Sequence, residues 1–495
     1  MTHITQHVLA IDIGSSSLRA ALFDVNGRQS GQCIRRSYSL DTDAMGKATL
    51  DADALFDDLF DALDELMSIT PERLDITAVG ISTFWHSLTG INDKHAATFP
   101  IITWADGRSA HEAAALKYSG IARHLHSVTG CPVHSSYWPA RLRWLAAQHE
   151  TAFDDTRYWL SAADLLFLRL FGRIGTSISM ASGSGLCDLN QKTWSREAMG
   201  IARIQPTQLP PISDDPQRGL LSPWGERWPR LAVIPWYPAW GDGACSNIGA
   251  GANNLDSLVL MLGTSGSMRV VWPADSATLS DAGLWCYRVD DRRFAGGMAL
   301  SEGGNAAAWA NRLLDKETGE NIDERVANLE PDAHGLCVLP YFLGSRSPQW
   351  SEGRTASITG ITAATTPVDI YRAMLESVGL RFAFLKNRLE RAWPGKRRII
   401  ATGAGFLRSA VWPQIVADCL GEPIDVSDVE EGSLRGAALL VLEKQGQIGK
   451  IEFPINRTVY PNSSAHEKYK IALERQADFD KHMIGMLQQR LDELR

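Results

Sequence analysis

The chain carries little excess charge of either sign: 49 Lys and Arg stand against 57 Asp and Glu, a net −8 over 495 residues. That balance offers no basic face to a phosphodiester backbone, so nucleic acid is not an expected partner, and an anionic membrane surface is disfavoured too. No apolar run approaches the roughly 20 residues of a bilayer-crossing helix. The opening Met-Thr-His-Ile-Thr-Gln-His lacks the basic and apolar regions of a secretory leader, so a cytoplasmic location is expected. Cysteine is sparse, with seven residues at 33, 131, 187, 245, 286, 337 and 419 and no close pair. Such a pattern argues against a disulfide frame or a zinc site and fits reduced thiols. Histidines at H-E-x-x-H spacing, a G-x-x-x-x-G-K-[ST] loop and a strand-borne G-x-G-x-x-G are all missing. Catalytic zinc, a Walker-type site and a dinucleotide fold lose ground accordingly.

What is present is a 44% apolar, 21% charged composition typical of a globular protein, at a length that implies two domains. Short apolar runs bounded by Gly, Ser and Asp alternate with amphipathic patterns, which predicts α/β architecture. Val8–Ile13, Ala78–Ser82, Leu258–Leu262, Val338–Pro340 and Arg398–Thr402 read as buried strands. Asp51–Met67, with Leu55, Leu59, Leu63 and Leu66 on one face, reads as a helix, as do Tyr371–Trp393, Gln414–Leu420 and Ser433–Glu443. The tail from Ala465 to Arg495 predicts a terminal helix. Between Gln205 and Trp240 stand eight prolines and four tryptophans, a stiffened connection laid across a domain rather than disorder. The boundary is expected near residue 250, giving domains 1–250 and 251–495.

The most informative feature is an echo. "LAIDIGSSSLRAALF" from Leu9 is answered by "LVLMLGTSGSMRVVW" from Leu258. Each is an apolar strand, a glycine, small hydroxyl residues, then an arginine and a second apolar strand. A glycine-and-serine turn aims backbone N–H groups and hydroxyls at one spot, a nest for phosphate oxygens. Either turn alone could be an ordinary hairpin; the pair predicts a duplicated domain whose turns grip one polyphosphate from both sides of a cleft. A third glycine turn, "IIATGAGF" at Ile399–Phe406, follows another strand and precedes an expected Ser409–Leu420 helix. It either presents flat backbone to a purine or simply makes a tight connection.

Asp12, inside an apolar strand, is costly to bury without a partner: an arginine, or Mg²⁺ held through water. Asp242, in "AWGDGACSNIGAG", stands between glycines near the expected junction, either a turn residue or a general base for substrate held in the cleft. Phosphoryl transfer asks for a positioned alcohol, a proton acceptor and neutralised phosphate charge, and one aspartate with two nests meets that list. "GISTFWHSLTGIN" (80–92) and "ITWADGRSA" (102–110) place Trp85, His86, Trp104, Asp106 and Arg108 on neighbouring loops, polar groups with an aromatic wall suited to a polyol.

With these motifs in order, the chain resembles the FGGY carbohydrate kinases across almost its whole length. The carrying motifs are "AIDIGSSSLRAALFD" (10–24), "TFWHSLTGIN" (83–92), "ITWADGR" (102–108), "WGDGACSNIGAG" (240–251) and "LGTSGSMRVV" (262–271). "LPYFLGSRSPQW" (339–350), "ATGAGFLRSAVWPQIVADCLGEPI" (401–424) and "EEGSLRGAALL" complete the set. The resemblance implies the actin-like, hexokinase-like (ribonuclease H-like) fold, two duplicated domains with ATP between them, and Mg²⁺-assisted transfer of the γ-phosphate to a sugar or polyol. Position by position it makes Asp242 the catalytic base and substrate contact, and Asp12 the aspartate near Mg²⁺ and phosphate. Both acidic groups would meet the metal through water. Gly14, Ser15, Ser16 and Ser17 match the first phosphate loop; Gly263, Thr264 and Ser265 match the second; Gly403, Ala404 and Gly405 match the adenosine contact. His86, Trp104 and Asp106 fall where family members touch the sugar, with Trp85 beside them.

Within the family, "HSL", "TWAD", "GTSG" before Met268-Arg269 and "RSPQW" look most like the gluconokinase branch, which implies D-gluconate converted to 6-phosphogluconate. A xylulokinase or ribulokinase type of ketopentose kinase is the alternative, although xylulokinases more usually show Met-His-Gly and Trp-Asn-Asp-Gly. Ser16 stands where threonine is usual, Ala404 interrupts a run of glycines, and Trp85 is bulky for the sugar pocket. A rival of another class is an actin-like ATPase, which would need the phosphate turns but has no use for the His86, Trp104 and Asp106 loops. The expected partner is a small sugar or sugar acid, and a homodimer is left open because the terminal helix can pack at home or on a neighbour.

Overall fold

The computed structural model describes residues 5–314, 322–351 and 353–493, with side chains between 6 and 486. Its contacts divide it into two compact units. The first takes Met1–Asn254, Val271–Gly296 and Glu431–Phe453; the second takes Leu255–Val270, Gly297–Glu430 and Pro454–Arg495.

In the first unit the strand expected at Val8–Ile13 runs from Thr5 to Ile13 and returns antiparallel through Ser17–Asp24, with Asp12 opposite Arg19 and Ile13 opposite Leu18. Leu74–Thr83 lies parallel on its other side and Trp240–Gly241 parallel beyond that, while Gln29–Ser37 edges the sheet. Val8, Leu9, Ala10, Ile11 and Ile13 are fully buried, because a strand covered on both faces is written as a continuous apolar run. Helix Ala52–Ile69 begins where the Asp51 carboxylate accepts the Ala54 N–H, and buries Leu55, Phe56, Leu59, Leu63 and Leu66. Helix Gly432–Lys444 packs on Thr5–Ile13, on Leu74–Thr83 and on helix Asp242–Gly249. The two helices touch through glycine: a Cβ on Gly436 would lie 1.8 Å from the Cys245 carbonyl oxygen.

The second unit repeats the order. Ser257–Leu262 turns into the strand that begins at Gly266, with Leu262 opposite Gly266; Arg398–Thr402 lies parallel on its other side, Ile424–Ser427 parallel beyond, and Ile455–Val459 antiparallel at the edge. The hairpin with two successive parallel neighbours is the physical content of the sequence echo. Helix Pro367–Ala392 starts earlier than expected because Thr366 and Asp369 form a capping box. The expected Ser409–Leu420 helix starts later, at Trp412, and a separate short helix, Ala404–Arg408, precedes it. Ser409 Oγ accepts the N–H groups of Val411 and Trp412 and restarts the helix there. The terminal helix, Ser463–Glu493, packs on its own unit. Tyr469 donates to Glu376 Oε1 at 2.8 Å, Gln476 donates to the Val338 carbonyl at 2.9 Å, and Asp480 accepts from Tyr341 at 2.9 Å.

The proline-rich connection is laid across the first unit as expected. Trp224 and Trp228 stack on one another at 5.7 Å, and Trp224 meets Phe60 of helix Ala52–Ile69 at 4.2 Å. Arg227 and the Trp228 indole both hold the Asp64 carboxylate of that helix. Among the described residues no helix is long and apolar enough to cross a membrane.

Candidate active site

Neighbouring strands of the first unit finish side by side. Asp12 lies opposite Ser82, Ser82 opposite Trp240, and Thr83 opposite Gly241, after which a helix starts at Asp242. Asp12 is 3% exposed; its Oδ2 takes Arg19 Nη1 at 2.8 Å, and its Oδ1 is buried without a hydrogen-bond partner. Burial pushes the Asp12 carboxyl up to about 6; Arg19 and the nearby Ser82 hydroxyl oppose that rise, and the neighbouring Asp242 adds to it. Arg19 is itself held by Glu431, with Nε 3.2 Å from Oε2. Of the two partners expected for Asp12, the arginine is therefore present on one oxygen only. The other oxygen is a hard, buried acceptor of the kind a hydrated divalent cation satisfies, so the site's chemistry fits Mg²⁺. Asp242 is half-buried at the first position of its helix, where Oδ1 accepts the Gly243 N–H at 2.7 Å.

The two glycine turns each close on a hydrogen bond from the glycine N–H to a serine carbonyl, the second one residue shorter than the first. In the first, Gly14 N–H meets the Ser17 carbonyl at 3.0 Å, Ser17 is buried and Ser16 is exposed at the tip. Tyr38, just past the Gln29–Ser37 strand, braces it, its N–H on the Ser16 carbonyl at 3.1 Å and its hydroxyl on that of Gly14 at 2.5 Å. In the second, Gly263 N–H meets the Ser265 carbonyl at 2.9 Å, and Thr264 is the exposed tip. A Ser301–Asn305 loop braces this turn, Gly304 N–H on the Gly263 carbonyl at 2.7 Å and Asn305 N–H on that of Thr264 at 3.1 Å. Gly403, at φ +99°, sits so close to the same strand end that a Cβ would lie 2.5 Å from the Leu262 carbonyl oxygen. Gly405 is equally tight against the Leu262 side chain, and Ala404 opens the short helix between them. The second unit thus brings Gly263–Ser265 and Gly403–Gly405 together. Sequence reasoning missed the Ser301–Asn305 brace, whose signal was a glycine pair between an apolar run and an Ala-rich helix.

The two sugar-loop candidates converge in the first unit. Trp85 lies under Gly241, where a Cβ would fall 1.8 Å from the Trp85 ring, and its indole donates to the Ser179 carbonyl at 3.0 Å. His86, at φ +70°, shares a hydrogen bond of 2.6 Å with the Gly183 carbonyl. Around them stand Tyr137, Trp285 and Tyr287. His86 lies 4.7 Å from Tyr137 and 5.4 Å from Tyr287, Trp85 lies 4.9 Å from Tyr287, and the two tyrosine hydroxyls meet at 2.5 Å. Sequence reading missed these three because they come from distant segments. Trp104 is half-buried on the adjoining loop, its carbonyl accepting Ser136 Oγ at 2.9 Å. Asp106 is turned to fastening: its carboxylate accepts the Ala48 N–H at 2.9 Å and the Arg108 guanidinium at 2.7 Å, while Arg108 lies over Trp144.

Models of the two FGGY carbohydrate kinase domains match this chain, the N-terminal one over residues 7–219 and the C-terminal one over residues 258–442. The chain belongs to the FGGY family of carbohydrate kinases. A gluconokinase of Bacillus subtilis (strain 168) is 27% identical over 91% of this kinase and 90% of its own length. A xylulose kinase of the same organism is 23% identical over 94% and 95%. Among solved structures, gluconate kinase from Lactobacillus acidophilus superposes with a TM-score of 0.89 at 24% identity, covering 97% of this chain and 98% of that one. The ligand-bound xylulose kinase from the same organism reaches 0.88 at 23% identity, again over 97% and 98%. The two-domain, actin-like and hexokinase-like sugar-kinase fold follows.

One other cluster of the FGGY kinase resembles a metal site and has a different chemistry. Asp332, His334 and Glu376 bring ligand atoms within 4.8 Å of one another. His334 Nδ1 accepts the Leu336 N–H at 3.0 Å, so its Nε2–H points at Glu376 Oε2, also at 3.0 Å. Arg372 engages Glu376 at 2.5 Å, and Arg475 is paired with Asp332. The carboxylates already have their cations, and the cluster is a structural knot around the buried Glu376.

Proposed function

We propose that this FGGY kinase transfers the γ-phosphoryl group of ATP to a hydroxyl of a sugar acid, with D-gluconate, giving 6-phosphogluconate, as the acceptor. The observation that carries the chemistry is the pair Asp12 and Asp242 at one sheet end, one with an unsatisfied buried oxygen and the other half-buried beside a packed aromatic wall. In this reading Asp242 accepts the proton as the sugar oxygen bonds to phosphorus, the β–γ bridging bond breaks, and ADP departs. Gly14–Ser17 and Gly263–Ser265 hold the phosphates with backbone N–H groups and hydroxyls, and Gly403–Gly405 meets the adenosine. Mg²⁺, when bound, neutralises phosphate charge; Asp12 and Asp242 would hold it through water. Trp85, His86 and Trp104 shape the acceptor pocket in the half assigned to residues 1–250, with Asp106 fastening the Trp104 loop and Trp285 and Tyr287 completing the wall; the other segments of residues 251–495 serve the nucleotide. The choice of acceptor rests on the gluconokinase-like motifs and on the named gluconokinase relatives.

The decisive experiment measures ADP release with D-gluconate, D-xylulose, D-ribulose and glycerol, each with Mg²⁺ and ATP. Gluconate should be the best acceptor by kcat/KM. An inert gluconate with an active ketopentose would move the enzyme to the second reading, a ketopentose kinase, favoured by the xylulose kinase relatives that match 94% of this chain.

A further inference from the structure

The acceptor loops do not hold their own shape. His86 is a residue with a Cβ in the left-handed region, a conformation that costs about 1–2 kcal/mol and persists only where surroundings impose it. Trp104 lies on a turn between the Ile101–Ile102 strand and the helix beginning at Ala110.

One short stretch grips both loops. Arg141, in helix Trp138–Gln148, donates from Nη1 to the His86 carbonyl, from Nη2 to the Thr103 carbonyl, and from Nε to the Ser135 carbonyl at 2.9 Å. Trp138 Nε1 donates to the Ser87 carbonyl at 3.0 Å, and Ser136 Oγ to that of Trp104 at 2.9 Å. Successive carbonyls in each loop, 86 with 87 and 103 with 104, are therefore taken by residues between Ser136 and Arg141. Arg141 is 1% exposed and its acceptors are neutral carbonyls. Burial lowers its guanidinium to about 10, with the nearby Asp106 carboxylate offsetting part of the fall, so it stays charged at neutral pH. Burying a cation against uncharged acceptors is expensive, and an apolar side chain would fill the space more cheaply. The return on that cost is geometric, because a planar guanidinium fixes three acceptors in one plane where an ammonium cannot.

We infer that Arg141 is a positioning residue for the sugar acceptor, locking the His86 and Trp104 loops to one another so that both face one substrate. The inference rests on the acceptor pocket assigned above. Its test uses the full-length enzyme with Arg141→Lys, and Ser136→Ala as a milder variant in case the first folds poorly. With D-gluconate and D-xylulose as probe acceptors, Arg141→Lys should raise the acceptor KM about tenfold or more while the ATP KM stays within about twofold. Amide exchange should quicken at residues 83–90 and 102–107 but not at the phosphate turns, 12–17 and 262–266. Ser136→Ala should show the effect at 102–107 alone. Unchanged exchange in the two loops, or KM values for ATP and acceptor rising together, would overturn the inference. If neither probe were phosphorylated, the assigned acceptor class would fall, while the exchange pattern would still decide the role of Arg141.

Discussion

Asp12 and Arg19 face each other across the first hairpin, 2.8 Å apart, and that ion pair satisfies only one of the two carboxylate oxygens. Asp12→Asn keeps the shape and removes the charge, and Arg19 retains Glu431 as a partner. We expect turnover to fall by about two orders of magnitude or more, with a much higher Mg²⁺ requirement and an undiminished melting temperature. A magnesium titration of ADP release is the measurement; wild-type rates at wild-type Mg²⁺ would remove Asp12 from the phosphate site.

Asp242→Asn tests the base. The variant should bind ATP and sugar with nearly unaltered affinity and lose about 10²–10⁴-fold in kcat. Calorimetric binding alongside steady-state rates separates the two effects. A near-native kcat would move the base elsewhere.

Gly241 and Trp85 are in intimate contact, since a Cβ on Gly241 would fall 1.8 Å from the indole. Gly241→Ala should displace Trp85, destabilise the protein by about 1–3 kcal/mol and weaken acceptor binding. Combined with Trp85→Ala, the same change should cost far less than the sum of the single losses. Additive losses in denaturant melts would show that the indole is not what the glycine accommodates.

Glu302, 1% exposed, gives stability a pH dependence. Its Oε1 is without a partner, as are Nε and Nη2 of buried Arg381. Burial pushes its carboxyl up from 4.5 to about 7, with Arg381 and Arg354 offsetting only part. The folded state therefore holds this proton more tightly than the unfolded chain. The stability it confers is complete below 4.5 and is lost as pH rises through 7. Glu302→Gln should remove that loss, gaining on the order of 3 kcal/mol relative to wild type between acid and pH 8. Asp164, pushed up to about 6 by burial, titrates the same way in both proteins, so the difference between them isolates Glu302. Parallel melting curves at every pH would contradict the assignment.

Much of the architecture was legible because doubly covered strands are written as apolar runs. Val8–Ile13, Leu258–Leu262 and Arg398–Thr402 sit within or coincide with observed strands. The repeated turn announced the repeated sheet order, and Asp12 stood out by its cost in an apolar context. The walls of the pocket were another matter. Tyr137, Trp285 and Tyr287 look like ordinary aromatic residues, and only the return of Val271–Gly296 to the first unit brings the last two to Trp85. Arg141 was equally silent, since its partners are backbone carbonyls, which leave no trace in residue types. The start of the helix at Trp412 rather than Ser409 escaped too, being decided by one side-chain hydroxyl that takes the Val411 and Trp412 N–H groups.

The route of the chain bears on how this enzyme can be cut and rebuilt. Helix Gly432–Lys444, which packs on Thr5–Ile13 and Leu74–Thr83, arrives more than three hundred residues after them. A fragment ending at Asn254 would expose the apolar floor of its own sheet and lack the indole and phenol of Trp285 and Tyr287. Expression of either half alone is therefore an experiment in misfolding. For the same reason a nascent chain cannot complete its first unit until synthesis has passed Phe453.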